Sequence, residues 1–367
     1  MKFRCERDVL ADALATAGRA AASRTGAFPA LSGIRLRLSA DSLVMTGTDL
    51  ELTIDLDVTV AGERDGATVL PARLATDIVK NLPSGSVEFN LSDDEMRISA
   101  GRSQFSVRPL SVDDFPQQHV DAAGTVTMSS DDMAEALSQV VRAASSDESR
   151  IQLTGVLIAA EENGLKMVAT DSYRLAVRDL PQSSILEAGQ RVLVPSRALN
   201  ELSRLVAVGG ELKTHLGANE AVFEIGSVRL STRLIENEYP NYANLVPTNN
   251  TNLLTVGRED LMNAIRRVKI LASDANTPVR LDMEASQLTV SVVTQDVGTG
   301  SEVIDCRYEG EPMPIAFNPD YLMAGIDAVE TDEVTLSSRE PTSPAVLRGA
   351  GRDDYLYLLM PVRLPST

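Results

Sequence analysis

The residues able to carry chemistry in this 367-residue chain are few and scattered. His119 and His215 are its only histidines, and no Ser-His-Asp spacing or GxSxG string accompanies them. Cys5 and Cys306 stand 301 residues apart without a CxxC or Cys/His cluster. That usage offers neither a disulfide framework nor a zinc site, and suits a reducing compartment. Gly298-Thr-Gly300 and Gly349-Ala-Gly351 read as turns, with no Lys-Ser/Thr after them to hold phosphates. Ser92-Asp-Asp-Glu95 has metal-ligating side chains but reads most simply as a solvated hairpin turn. Tyr173 beside Arg174 has the makings of an acid/base pair, although an interaction surface suits the two better. The sequon-like Asn249-Asn-Thr251 has no meaning in a cytoplasmic protein. No catalytic constellation emerges.

The elements that would hold such residues recur three times. Leu43-Val-Met-Thr-Gly-Thr-Asp49, Leu165-Lys-Met-Val-Ala-Thr-Asp171 and Leu288-Thr-Val-Ser-Val-Val-Thr294 begin 122 and 123 residues apart. Each follows an apolar strand-like run, at Leu31, Leu153 and Thr277. Amphipathic helical runs begin near Glu6, Ser130 and Arg258, with polar or acidic residues before the first apolar pair, as helix N-termini favour. Second helices open at Leu70-Pro, Val194-Pro and Phe317-Asn-Pro, where the proline donor would be unpaired anyway. Alternating strands follow, including Val87–Leu91, Phe105–Val107, Val222–Ile225, Val228–Ser231 and Tyr355–Leu359. Two repeats leave through related corners, Asp114-Phe-Pro116 and Glu238-Tyr-Pro240. The reading is three tandem α+β domains over residues 1–122, 123–248 and 249–367, each with helices on one face of an antiparallel sheet. Such an array either ends in free sheet edges or closes on itself.

Composition agrees with folded domains: 43% of residues are hydrophobic and only 4% aromatic, so the core must be mainly aliphatic. No stretch approaches the ~20 apolar residues of a membrane span, and no long apolar run follows the first basic residues, so no signal peptide is expected. With 34 basic against 52 acidic side chains the formal charge is −18, which at face value argues against binding phosphates.

Several strings together resemble the bacterial sliding-clamp family, the beta subunit of the replicative DNA polymerase. They are Phe28-Pro-Ala-Leu-Ser-Gly33, Thr46-Gly-Thr-Asp-Leu-Glu51, Ala169-Thr-Asp-Ser-Tyr-Arg-Leu-Ala176, Glu238-Tyr-Pro-Asn-Tyr242 and Leu359-Met-Pro-Val-Arg-Leu364, in order along the whole chain. The resemblance implies a head-to-tail homodimer of six domains forming a closed ring, with helices lining the hole and antiparallel sheets outside. It implies a non-catalytic processivity factor without cofactors or metals. Its expected partners are double-stranded DNA held without sequence preference, the replicative polymerase, the clamp loader and other proteins carrying clamp-binding motifs. The charge then becomes a question of placement. The helical runs, taken as residues 6–24, 70–83, 129–142, 194–208, 257–269 and 317–330, carry 0, +1, −2, +1, +2 and −3, a net of −1. The acidic excess is thus expected on the outer face, confining the duplex to the hole.

The same resemblance maps residues to three sites. Arg24 and Arg73 match DNA-contacting positions, Arg197 is the second-repeat counterpart of Arg73, and Arg266, Arg267 and Lys269 form the densest basic cluster on a helix, with Arg266 and Arg267 taken as DNA-facing. Arg150 and Gln152 occupy a further DNA-contacting stretch, without the tyrosines found there in other members. A hydrophobic pocket between the second and third domains would take short peptide motifs. Its wall comprises Leu153, Thr170, Ser172, Tyr173, Arg174, Leu175, Pro240, Leu245, Val346, Leu358, Leu359, Met360, Pro361, Val362 and Arg363. Aliphatic and methionine side chains make an adaptable slot, and the arginines can hold peptide carbonyls or a carboxylate. Phe105 and Val107 match one side of the dimer interface, Ile270 and Leu271 the other. The residues alone leave open a nucleic-acid-independent scaffold, or an enzyme acting at a cleft between triplicated units.

Overall fold

The structure is a computed structural model describing residues 1–22, 28–92, 94–116, 125–162, 164–181, 185–186, 189–272, 277–294 and 296–363. Arg24 and His119 lie outside the described residues. The first repeat opens with β1 (Lys2–Glu6), α1 (Arg7–Gly18), β2 (Gly33–Ser39), β3 (Ser42–Thr48) and β4 (Leu52–Thr59). It continues with β5 (Ala61–Arg64), β6 (Gly66–Pro71), α2 (Ala72–Asn81), β7 (Ser86–Ser92), β8 (Glu95–Ala100) and β9 (Ser103–Val107). The second contains β10 (Val126–Ser129), α3 (Ser130–Val140), β11 (Gly155–Glu161), β12 (Gly164–Thr170) and β13 (Arg174–Pro181). After these come β14 (Arg191–Pro195), α4 (Ser196–Val206), β15 (Glu211–Leu216), β16 (Glu220–Ile225) and β17 (Val228–Arg233). The third holds β18 (Asn252–Gly257), α5 (Arg258–Val268), β19 (Val279–Met283), β20 (Gln287–Thr294) and β21 (Gly298–Glu309). It ends with β22 (Met313–Phe317), α6 (Pro319–Asp327), β23 (Glu333–Ser338), β24 (Ala345–Gly349) and β25 (Tyr355–Leu359).

Both helices of each repeat appear where the polar-then-apolar pattern and the proline signals place them. In α4 the buried Leu199, Leu202, Leu205 and Val206 recur at helical spacing, with Arg204 in the last turn where a cation favours the dipole. The observed helices are shorter than the charge windows drawn from sequence. They carry −1, +1, −3, +1, +1 and −2, so the helical layer is more acidic than expected. Gly298-Thr-Gly300, expected as a turn, instead opens β21, because those residues pair with Thr294, Val293 and Val292 of β20.

The chain separates into two compact units: Met1–Met133 with Arg197–Leu234, and Ala134–Ser196 with Ile235–Thr367. Contributions from the second repeat to both follow from its strand pairing. In the first unit an eight-stranded sheet runs β10-β15-β16-β17-β4-β3-β2-β6, beside a five-stranded sheet β5-β1-β7-β8-β9. Phe3 and Phe89 stack at 5.0 Å inside it. Gly47 on β3 is dictated by packing, since a Cβ there would lie 1.9 Å from the Ala17 carbonyl oxygen of α1.

The second unit carries one twelve-stranded sheet, β14-β11-β12-β13-β25-β24-β23-β18-β21-β20-β19-β22. Here β13 pairs antiparallel with β25, Arg174 opposite Leu359 and Arg178 opposite Tyr355. The Arg178 end is fixed by charge. Its buried guanidinium reaches Glu135 of α3 at 3.0 Å and Asp354, while Arg352 bridges Glu135 at 3.0 Å and Asp354 at 2.6 Å. A buried arginine without such partners would cost several kcal/mol, of order 3–5.

Candidate peptide pocket and nucleic-acid-facing cations

The repeated Thr-Asp pair builds a turn. Thr170 Oγ1 donates to the Arg174 carbonyl at 2.6 Å and accepts from the Ser172 N–H at 3.1 Å. Asp171 Oδ1 accepts from the N–H groups of Tyr173 and Arg174 at 2.9 and 3.0 Å. Together they hold Ser172 at φ +81°, a left-handed conformation that short hydrogen-bonded turns support. Thr48 and Asp49 repeat the arrangement around Leu50, also at φ +81°.

Beyond that turn β13 runs alongside β25, and three of the expected pocket residues meet. Leu175 pairs with Leu358, and Leu358 with Val346 of β24; all three are buried. They pack with Leu157, Val168 and Leu193, against half-buried Ile235, Tyr239, Tyr242 and Val246. Leu153 is buried at the end of the 3-10 segment Glu148–Leu153. The Met360 N–H donates to the Tyr173 carbonyl at 2.9 Å, and the Val362 N–H to the Ala316 carbonyl at 2.8 Å, tying down the chain that follows β25. Tyr173, Met360, Pro240, Leu245 and Arg363 are exposed, and Pro361 is half-buried.

Arg174 is held from three directions. Its Nε donates to Asp171 Oδ2 at 2.9 Å, its Nη1 reaches Tyr357 Oη at 3.4 Å, and its guanidinium carbon lies 4.4 Å from the Tyr321 ring centre. Tyr321 also stacks with Tyr173 at 6.4 Å. Sequence reasoning missed Tyr321 and Tyr239. The string Phe317-Asn-Pro-Asp-Tyr-Leu signalled only a helix start, yet Asn318 Oδ1 caps that helix by accepting from the Tyr321 N–H at 3.2 Å, which positions the ring. Gly325 on α6 leaves room for Tyr357, since a Cβ would fall 2.4 Å from its ring. Burial pushes the Tyr239 phenol well above the ordinary tyrosine value.

The expected DNA-contacting cations differ in availability. Arg73 is 96% exposed, and among the described residues its one ion pair is with Asp77 at 3.8 Å. Arg73 and Arg197 line one groove of about 1020 Å³ with Arg19 and Lys80. Arg197 is ion-paired with Asp49. Arg266 is exposed and joins no ion pair among the described residues, whereas Arg267 donates through Nε to Glu302 of β21 at 2.6 Å. Arg150 is bound to Asp147 and to Ser172 Oγ, each at 2.9 Å, at the pocket turn; Gln152 is half-buried.

Two of the strand edges left open among the described residues lie on β9 and β21. β9 ends its sheet with Phe105 exposed and Val107 buried. On β21, residues 306–309 pair with β18, but 298–305 pair with β20 alone. Ile270 and Leu271 belong to the 3-10 turn Lys269–Leu271, and a Cβ on Gly300 would lie 2.7 Å from Leu271 Cδ1.

Comparison with known proteins agrees with this geometry. The DNA polymerase III beta subunit N-terminal, central and C-terminal domain families match residues 1–120, 127–241 and 243–363. The beta sliding clamp of Synechococcus elongatus is 35% identical, covering all of both chains. That of Streptomyces coelicolor is 34% identical over 99% of this chain and all of the relative. Among solved structures, the Bacillus subtilis DNA polymerase sliding clamp superposes with a TM-score of 0.92 at 27% identity, covering 100% of each chain. The Bartonella birtlesii clamp, solved bound to griselimycin, gives 0.92 at 29% identity, covering 99% of this chain and 100% of its own. No helix among the described residues is long and apolar enough to cross a membrane. The three repeats, the shared Thr-Asp turns and these matches along the whole length make the chain a member of the bacterial DNA polymerase III beta subunit family, the beta sliding clamps.

Proposed function

We propose that two copies of this chain close head to tail around duplex DNA in the cytoplasm, and tether a replicative polymerase through the pocket at β13 and β25. The family is that of a non-catalytic processivity clamp; the chemistry belongs to its partners. The domains divide near residues 122 and 248, with Arg24, Arg73, Arg197, Arg266 and Arg267 toward the DNA. Polymerase and clamp-loader peptides enter the slot between Leu175, Leu358 and Val346, with Arg174 at its rim.

One observation carries the closed ring. Inside the chain, β4 of the first repeat pairs with β17 of the second, and β13 of the second pairs with β25 of the third. In each case the fourth strand of one repeat meets the last strand of the next. That pattern leaves the fourth strand of the third repeat, β21, and the last strand of the first, β9, for each other in a second copy. Thr53 faces Ser231, and Leu175 faces Leu358. Carried over through the hairpin registers, these pairs put Thr299 opposite Ser106 and Gly300 opposite Phe105. A ring of repeated heterologous contacts would leave neither of these two edges open.

The ring reading is tested by loading the protein, with its clamp loader, onto circular and linear DNA. Stable retention on circles and rapid loss from linear ends is expected. Equal retention on both would refute encirclement.

A further inference from the structure

The two junctions inside the chain have an ion pair on their helical side. Arg19, just after α1, lies 2.6 Å from Glu201 of α4; Arg142, after α3, lies 2.8 Å from Asp327 at the end of α6. Arg19 and Arg142 stand nine residues beyond the matched apolar positions Leu10 and Met133. The residue nine beyond Leu261 is Ile270, which is 82% exposed. The cation is replaced by an apolar side chain in the one repeat whose neighbour lies outside the chain.

Two more exposed apolar residues occupy junction positions. In the second unit Tyr321, the third residue of α6, stacks on Tyr173, the residue before β13. Leu74 is the third residue of α2 and is 47% exposed; Val297 immediately precedes β21 and is 56% exposed. Leu74 and Asp77 are three apart on α2 and share a helix face, as Ala198 and Glu201 do on α4.

We infer that Leu74 packs against Val297 and Ile270 of the partner subunit, so that the helical side of the junction between copies is apolar where both in-chain junctions use an ion pair. This rests on the dimer reading above and assigns a chemistry to its helix layer. Two in-chain junctions never need to open, whereas this one must part whenever the ring passes DNA. An apolar contact, unlike an arginine-carboxylate pair, is held without charge, so its strength depends little on salt.

The test is charge complementation. The dimer dissociation constant is measured by sedimentation equilibrium for wild type, Leu74→Glu, Val297→Lys and the double variant. Each single variant, by pressing a charge against apolar surface, is expected to weaken the dimer by at least about 30-fold. The double variant is expected to return to within about 10-fold of wild type, because the new charges pair. Unchanged single variants, or a double variant no better than the singles, overturn the inference while the dimer stands. A wild-type chain that stays monomeric at micromolar concentration would instead refute the dimer reading. The substituted residues are exposed, and thermal melting checks that each variant folds.

Discussion

The Arg174 guanidinium of β13 lies 4.4 Å from the centre of the Tyr321 ring of α6, so a cation from the second repeat rests on an aromatic face from the third. A contact of this type contributes about 0.5–2 kcal/mol. Because Asp171 and Tyr357 hold Arg174 from the other sides, losing the ring should misplace the rim of the slot rather than unfold it. Tyr321→Ala is expected to weaken binding of a clamp-binding peptide by about 2- to 30-fold, with Tyr321→Phe near wild type. Calorimetric titration checks this. An unchanged affinity for Tyr321→Ala would take the ring out of the peptide's path.

What the sequence disclosed about this region, and what it withheld, divides by range. Leu43, Leu165 and Leu288 fall on the equivalent strands β3, β12 and β20, because alternation and spacing are local properties of the chain. The Thr-Asp turn is local in the same way. The meeting of Arg174 with Tyr321 depends on a helix entry some 147 residues away, and no periodicity encodes it. Nor does local pattern reveal that Arg267 is held by Glu302 or Arg197 by Asp49. These pairs follow from sheet order, fixed by strands such as β4 and β17 whose partners are distant. The helical windows overran the helices because periodicity does not mark where the first and last turns end.

Stability should be bounded at both ends of the pH range by groups near β25. Burial acts to raise the Asp354 carboxyl, but its hydrogen bond to Arg352 and the charges of Arg178 and Arg352 outweigh this and hold it below the usual 3.8. A depressed carboxylate stabilises the fold above its unfolded value, and that contribution is lost as pH falls through the folded one. Burial pushes Tyr357 up to about 12 and Tyr355 well above 10. Raised phenols contribute stability that is complete below the unfolded value and lost as pH climbs through the folded one. The melting temperature should therefore be flat from about pH 5 to 9 and fall on either side. Asp354→Asn should shrink the acid limb. If its acid limb superimposes on that of wild type, the Arg178–Arg352–Asp354 cluster is not what titrates.

The register proposed between β9 and β21 makes a covalent prediction. Residues directly opposed in antiparallel strands have Cα atoms about 4.5–5.5 Å apart, within reach of a disulfide. Ser106→Cys with Thr299→Cys should yield a cross-linked dimer under mild oxidation, visible on a non-reducing gel. Ser106→Cys with Ser301→Cys, two residues out of step, should yield far less. The native Cys5 and Cys306 add little background, since partial burial raises both thiols above the ordinary value. Equal yields from both pairs would reject the register.

The cations proposed to meet DNA should not contribute equally, because several are already engaged. Arg73 is almost wholly exposed and Arg266 has no ion pair among the described residues, so each can neutralise a phosphate at little cost. Arg197 and Arg267 must first leave Asp49 and Glu302, and the carboxylate each leaves behind repels the duplex. A phosphate contact adds about 0.9 to the slope of log affinity against log salt. Removing Arg73 or Arg266 as alanine should lower that slope by close to this amount, and removing Arg197 or Arg267 by distinctly less. Fluorescence anisotropy of a short duplex at low salt measures the slopes. Weak, sequence-independent attraction of this kind lets a ring slide, whereas four fully free arginines would grip. Equal slope changes for all four would mean that DNA displaces the carboxylates without penalty, and that the ion pairs do not set the grip.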